Sequence, residues 1–209
     1  DDPIDDLHWH KVIAADESFN VKVLPSWRPD KAVNIEKDDF VSYMEKLGDA
    51  AGMKITSFAD VKTALTKRME YFKEAGCCVS DHGLEYVAYA KTTEEEVEAV
   101  FAKKMAGETL SHEEIGKYKM GVLLHLGKEY HRLNWVMQLH YGVKRDNNRK
   151  VFEALGPDAG IDSISTSAPI NELADFLNAL AYTDELPKTI IYSLNPIDNA
   201  AIGTIIGCF

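Results

Sequence analysis

Hydrophobic positions along this chain fall into two kinds of run. Four short runs have strand length, few charges and a polar cluster at their end. Residues 21–27 (VKVLPSW) lead into Arg28-Pro29-Asp30, and residues 77–80 (CCVS) lead into Asp81-His82-Gly83. Residues 135–139 (WVMQL) lead into His140-Tyr141-Gly142, and residues 189–194 (TIIYSL) into Asn195-Pro196. Near-continuous apolar runs of this length suit parallel strands buried on both faces.

Between them the spacing changes to that of helices. Ser57-x-x-Asp60 opens a stretch with Val61, Leu65, Met69 and Phe72 on one face, closed by Gly76. Thr93 caps a helix through Met105 whose first turn carries Glu94, Glu95 and Glu96, placed to complement the helix dipole. Ser111-x-x-Glu114 is a capping box for a long helix reaching Leu133, and residues 169–180 and 199–206 add two more helices.

Alternating strands and helices predict an α/β fold with a parallel sheet. A doubly wound nucleotide-binding sheet would show a glycine-rich first turn, and no G-x-G-x-x-G or Walker sequence is present. Polar residues just past several strands (Arg28, Asp81, His140, Asn195) instead fit a (β/α)8 barrel. The expectation is a partial TIM-type barrel spanning residues 1–209 as a single domain, with a helical insertion around residues 92–133. Four parallel strands are clear and residues 161–165 are a candidate fifth, where a barrel needs about eight. The chain opens on Asp1-Asp2-Pro3 without an initiator Met and reads as a fragment. A half barrel leaves strand edges and apolar helix faces uncovered, so a homo-oligomer or other self-association is expected.

Composition narrows the partners. A net charge of −11 with no Lys/Arg cluster argues against nucleic acid, and no apolar run is long enough for a membrane span. An anionic substrate must therefore be held by a few placed cations. Three cysteines, two of them adjacent (Cys77, Cys78, Cys208), make neither a disulfide framework nor a C-x-x-C zinc site, so a reducing cytoplasm is the default location. Cys77 and Cys78 read as small buried hydrophobes.

The candidate chemistry gathers at the strand ends. His140 could ligate a divalent metal or exchange a proton, and a strand-end histidine bonded to a backbone carbonyl is an equal alternative. Arg145 could clamp a carboxylate with two parallel hydrogen bonds, against the plainer reading of a solvated loop charge. Arg28, stiffened by the following proline, is the stronger substrate anchor. Asp81 could act as a base or orient a water, or simply cap a turn; its neighbour His82 need not face the same way. His8-Trp9-His10 matches an H-x-H metal pattern, but it runs into a helical stretch where positions two apart diverge, and it is rejected as a metal site. His112, His125 and His131 read as surface or packing residues.

Taken together, DDPIDDLHWHK, SWRPDKAVNIE, CCVSDHGLEY, WVMQLHYGVKRDNNR and TIIYSLNPIDNAAIGTIIGCF resemble the middle and C-terminal-middle portion of uronate isomerases of the amidohydrolase superfamily. The resemblance implies a distorted barrel that interconverts D-glucuronate with D-fructuronate and D-galacturonate with D-tagaturonate. A proton moves from C2 to C1 through a cis-enediol, with a divalent metal, commonly zinc, near the reacting oxygens. It implies that Arg28 and Arg145 bind substrate, that Asp81 belongs to the proton or hydrogen-bond network, and that His140 is catalytic and a metal ligand or its neighbour. The family's H-x-H pair on the first strand and its aspartate ligand on the last fall outside this chain, so it is expected to hold no metal tightly and to be inactive alone. Asp146 stands where asparagine is expected. Two other readings stay open: a metal-dependent hydrolase of the same superfamily, and a non-catalytic sugar-acid binding module.

Overall fold

A computed structural model describes residues 1–87, 89–166 and 169–209. Nine helices and five strands alternate along them. The central sheet is parallel and three-stranded, in the order β1 (His82–Gly83), β2 (Met137–Tyr141), β5 (Thr189–Ser193). Two parallel bridges, Trp27 with Ser80 and Val79 with Val136, extend this layer toward the chain start.

Of the four predicted strands, the last two are present; residues 77–80 contribute only the bridging Val79 and Ser80, with the two-residue β1 lying just past them at His82–Gly83, and residues 21–27 contribute only Trp27. Trp27 N donates to Val79 O at 3.1 Å and Asp81 N donates to Trp27 O at 2.8 Å. Upstream, Pro25 has no N–H to give a ladder, and Val21 and Leu24 are exposed. The candidate fifth strand is corrected: Ser163–Ile164 (β4) pairs antiparallel with Val143–Lys144 (β3) in a separate two-stranded ribbon. Both its residues are exposed, so it lacks the double-sided burial that a parallel barrel strand needs. The adjacent cysteines also part company, Cys77 being buried and Cys78 exposed, because successive residues of an extended segment face opposite ways.

The capping boxes build the helices predicted from them. Ser57 Oγ accepts from Asp60 N at 3.1 Å and Asp60 Oδ2 accepts from Ser57 N at 3.0 Å, opening α4 (Phe58–Glu74). Its Val61, Leu65, Met69 and Phe72 are wholly buried. The same reciprocal boxes at Thr93/Glu96 and Ser111/Glu114 open α5 (Glu94–Met105) and α6 (His112–Leu133). Helix α6 ends at Asn134, which adopts the left-handed conformation (φ 55°) suited to asparagine. Along its length α6 packs on α2 (Asp30–Val33), α4, α5 and α8 (Ile170–Ala181). Residues 8–15 are helical (α1, His8–Ala15), as predicted, and α9 (Asn199–Ile206) follows β5. Helices α3 (Phe40–Ala51) and α7 (Arg149–Leu155) lie outside the predicted set.

The aromatic core ties the sheet to the helices. Trp27 meets Phe72 edge-on at 5.0 Å between ring centres and lies 6.3 Å from Trp135. Arg68, on α4 and nearly buried, fastens the N-terminal segment: its guanidinium donates to Pro3 O and Asp5 O, both at 2.7 Å, and to Ala50 O at 3.2 Å. Removing it would leave these carbonyls short of a donor in a packed site. We expect Arg68→Met to lower stability by about 3 kcal/mol, read as a reduced urea midpoint at unchanged slope.

Candidate active site

The sheet register determines which side chains share a face. His82 pairs with Leu139 and Gly83 with His140, while His140 pairs with Tyr192. Side chains alternate along a strand, so Leu139 and His82, both fully buried, point into the core. Asp81, Gly83, His140 and Tyr192 share the opposite face. Thus Asp81 and His82, adjacent in sequence, point to opposite faces of the sheet.

On the open face, Arg28 Nη1 donates to Asp81 Oδ2 at 2.9 Å. His140 Nε2 lies 2.9 Å from Asp81 Oδ1, an ion-pair distance, yet this oxygen accepts no hydrogen bond among the described residues. The His140 ring stacks on Tyr192 with centres 4.6 Å apart and planes 11° from parallel. Tyr192 is held in turn by its hydroxyl, which donates to Gln138 Oε1 at 2.7 Å, and Gln138 Nε2 donates to Ser80 O at 3.1 Å.

Arg145 reaches the same place from the loop after β3. Its Nη1 donates to Asp162 Oδ2 at 3.0 Å, and Asp162 Oδ1 accepts from Asp146 N at 2.9 Å. Asp146 has φ 53°, a left-handed conformation that asparagine and aspartate both tolerate, which accounts for either residue standing there. A Cβ built on Gly83 would lie 2.2 Å from Arg28 Nη2 and 3.2 Å from Arg145 Nη2. Both guanidinium groups therefore converge over one residue without a side chain. They border a cavity of about 430 Å³ lined also by His140, Asp162 and Tyr192.

Beneath this face is a buried network. Asp30 Oδ2 accepts from Arg28 Nε at 3.1 Å and from Gly83 N at 2.9 Å. Asp30 Oδ1 faces His82 Nδ1 at 3.5 Å, and His82 Nε2 is 2.8 Å from the Tyr130 hydroxyl on α6. Burial opposes the charge on Asp30, but the nearby His82 ring, which lies beyond good hydrogen-bond geometry, the Gly83 N–H and Arg28 together outweigh it, so the carboxyl pKa is lowered. The Tyr130 phenol is pushed well up by burial and stays protonated.

The structure thus brings all four sequence-predicted residues, Arg28, Asp81, His140 and Arg145, to one strand-end site. Asp30, Tyr130, Tyr192 and Asp162 were not singled out. Asp30 stood two residues from Arg28 in a polar cluster already recognised, whereas Tyr192 lay inside an apolar run and Asp162 in a ribbon of unexpected partner. His8 and His10 sit on α1, with His10 Nε2 3.0 Å from Asp1 Oδ2. Among the described residues no group of three or more His, Cys, Asp or Glu side chains converges. His140 and Asp81 face each other, and two donors do not make a metal site, so these residues alone do not fit the metal that the resemblance implies.

The fold and site define an α/β protein that presents two arginines and an acid–histidine pair in a crevice at the carboxyl ends of parallel strands. The model of the glucuronate isomerase family matches residues 1–209, and the chain belongs to that family. It is 59% identical over its whole length to a uronate isomerase of Lachnoclostridium phytofermentans and 56% identical to one of Lachnospira eligens. The chain spans 45% of the length of each of these relatives. The crystal structure of a uronate isomerase from Thermotoga maritima superposes with a TM-score of 0.93 at 36% identity, over all of this chain and 46% of that one. A glucuronate isomerase from Caulobacter crescentus shares the fold, with a TM-score of 0.84 at 24% identity over 95% of this chain and 41% of that one.

The His82–Tyr130 contact can be tested apart from chemistry. Tyr130→Phe removes the partner of a fully buried imidazole nitrogen and should cost about 1–3 kcal/mol of stability in urea unfolding. An unchanged midpoint would show that the histidine does not depend on this hydroxyl.

Proposed function

We propose that this chain supplies part of the active site of an enzyme that interconverts D-glucuronate with D-fructuronate, and D-galacturonate with D-tagaturonate. The observation that carries the reading is the convergence of Arg28 and Arg145 over Gly83, beside the Asp81–His140 pair, in a member of the glucuronate isomerase family. Sheet, helices and strand-end site together are read as part of a (β/α)8 barrel, with α5 and α6 as its helical insertion.

A uronate brings a carboxylate and a row of hydroxyls. Arg28 and Arg145 each have an Nη2 that donates to no protein group among the described residues, and planar guanidinium groups match a carboxylate better than lysines would. Asp81, paired with His140 at 2.9 Å beside the cavity, is assigned as the base that accepts the proton from C2 and returns it at C1. Electrons from the breaking C2–H bond form the enediol double bond while the C1 carbonyl oxygen takes up a proton and becomes a hydroxyl. The O2 hydroxyl then gives up its proton as the C2 carbonyl forms and C1 is protonated, so that one proton passes from C2 to C1 and one from O2 to O1, the latter by way of His140. His140, held flat against Tyr192, hydrogen-bonds the oxygen that gains charge. Because the residues present do not fit a metal by themselves, no step is assigned to one. A divalent ion, zinc by the resemblance, belongs to this reading as a group whose ligands lie outside these residues.

Among the described residues no helix is long and apolar enough to cross a membrane; a cytoplasmic sugar-acid enzyme that uses neither nucleic acid nor membrane is part of this reading and rests on composition. Ile190, Leu194, Ile197 and Ile206 are exposed around the β5 edge of the sheet, and this supports self-association of the isolated chain. Sedimentation of the 209-residue chain at micromolar concentration should show species larger than a monomer; a clean monomer would reject it.

In the full-length enzyme that contains this chain, Asp81→Asn should lower kcat by about 10²–10⁴-fold, far more than it raises KM through the Arg28 Nη1 that Asp81 also holds. Proton exchange at C2, followed by NMR in deuterated water, should fall in parallel. Retained isomerisation would remove Asp81 from the proton path. Wild-type protein that binds uronates without turning them over would favour the binding-module reading.

A further inference from the structure

We infer that Asp30 is a positioning residue that fixes the Arg28 guanidinium over Gly83 for the substrate's carboxylate; this rests on the reading of Arg28 as the uronate anchor. One oxygen carries the argument. Asp30 Oδ2 accepts both from Arg28 Nε and from Gly83 N, at 3.1 and 2.9 Å. The same atom therefore locks the arginine to the backbone position over which its Nη2 must lie. Asp81 takes Nη1 at 2.9 Å, so two carboxylates grip two of the three nitrogens and leave the third toward the cavity. The Arg28 side chain is 45% exposed, and a side chain so exposed would otherwise sample many rotamers before each binding event.

Asp30 is itself held from behind. Its side chain is 16% exposed, its second oxygen faces the buried His82, and His82 rests on Tyr130 of the long helix α6. The arginine is thus braced against the core through a chain of polar contacts rather than by loop backbone alone. Preorganisation of this kind is felt chiefly in substrate binding, because the ordering entropy is already spent before the ligand arrives.

The test uses the full-length enzyme that contains this chain and steady-state kinetics with D-glucuronate. Asp30→Asn keeps the shape and removes the charge. It should raise KM about tenfold with kcat within about threefold, and the effect should vanish when Arg28→Ala is already present. Gly83→Ala provides a second route that leaves Asp30 intact, since its Cβ would displace Arg28 Nη2; it should raise KM in the same sense even if Asp30→Asn fails to fold. If Arg28→Ala raises KM while Asp30→Asn leaves it within about twofold, the positioning role is overturned and the substrate reading stands. Additive effects of the two substitutions would equally overturn it, as a merely structural role predicts. If Arg28→Ala itself leaves KM unchanged, the reading on which the inference rests has failed.

Discussion

The register of the parallel strands is the constraint from which the site follows. Pairing His82 with Leu139 and Gly83 with His140 places one set of side chains in the core and the next set over the crevice. A shift of one residue would exchange the faces. His82 would then be exposed, Asp81 would be buried without Arg28, and His140 would be driven into the apolar core. The apolar residues flanking the polar ones resist that shift. Leu139 is fully buried and Met137 nearly so, and exposing two such side chains would cost about 3–6 kcal/mol. The hydrophobic effect holds the site in place although the residues that meet there are polar.

Helix α6 converts this register into a rigid support. Its glycines allow close approach: a Cβ at Gly127 would lie 2.6 Å from Leu180 Cδ1, and one at Gly121 would lie 2.9 Å from Val97 Cγ2. The helix is thereby drawn against α8 on one side and α5 on the other. Tyr130, two turns nearer the sheet than Leu123, then delivers its hydroxyl to His82. The capping box at Ser111 is remote from the crevice, yet it fixes where this helix begins and hence which residue stands beneath the strand end. Local sequence rules at one end of a helix and polar geometry at the other are therefore linked through ordinary packing.

The legible parts of the chain were those governed by local rules. Ser57, Thr93 and Ser111 announce helices because a capping side chain and the turn it caps are neighbours in sequence. That Arg28, Asp81 and His140 meet at one end of the sheet could be read because each polar cluster follows its own apolar run, although Asp81 precedes β1 and His140 lies within β2. The parallel pairing of residues 161–165 could not be judged in this way, since strand partners are chosen at long range. Ser163–Ile164 found an antiparallel partner in Val143–Lys144, and with it Asp162 came to hold Arg145. Residues 21–26 carry strand-like composition, yet Pro25 and the exposure of Val21 and Leu24 reduce that run to one bridging residue. Asp30 and Tyr192 escaped notice for a related reason. Their roles depend on partners far away in sequence, Gly83 and His140.

Charge explains why the site is built as pairs rather than as bare cations. The chain carries 34 acidic and 23 basic side chains, and its overall field repels anions. A lone arginine in such a field would be neutralised by whichever mobile carboxylate lay nearest. Here the neutralising groups are fixed and leave capacity over: Asp30 and Asp81 occupy Nε and Nη1 of Arg28, and Asp162 occupies Nη1 of Arg145. A guanidinium has five N–H donors, so each arginine keeps Nη2 available while its charge is partly balanced. On the proposed reading, attraction for a uronate is then short-ranged and directional. It acts where two Nη2 groups meet above a glycine and weakens elsewhere, which selects a planar carboxylate presented at one point over anions in general.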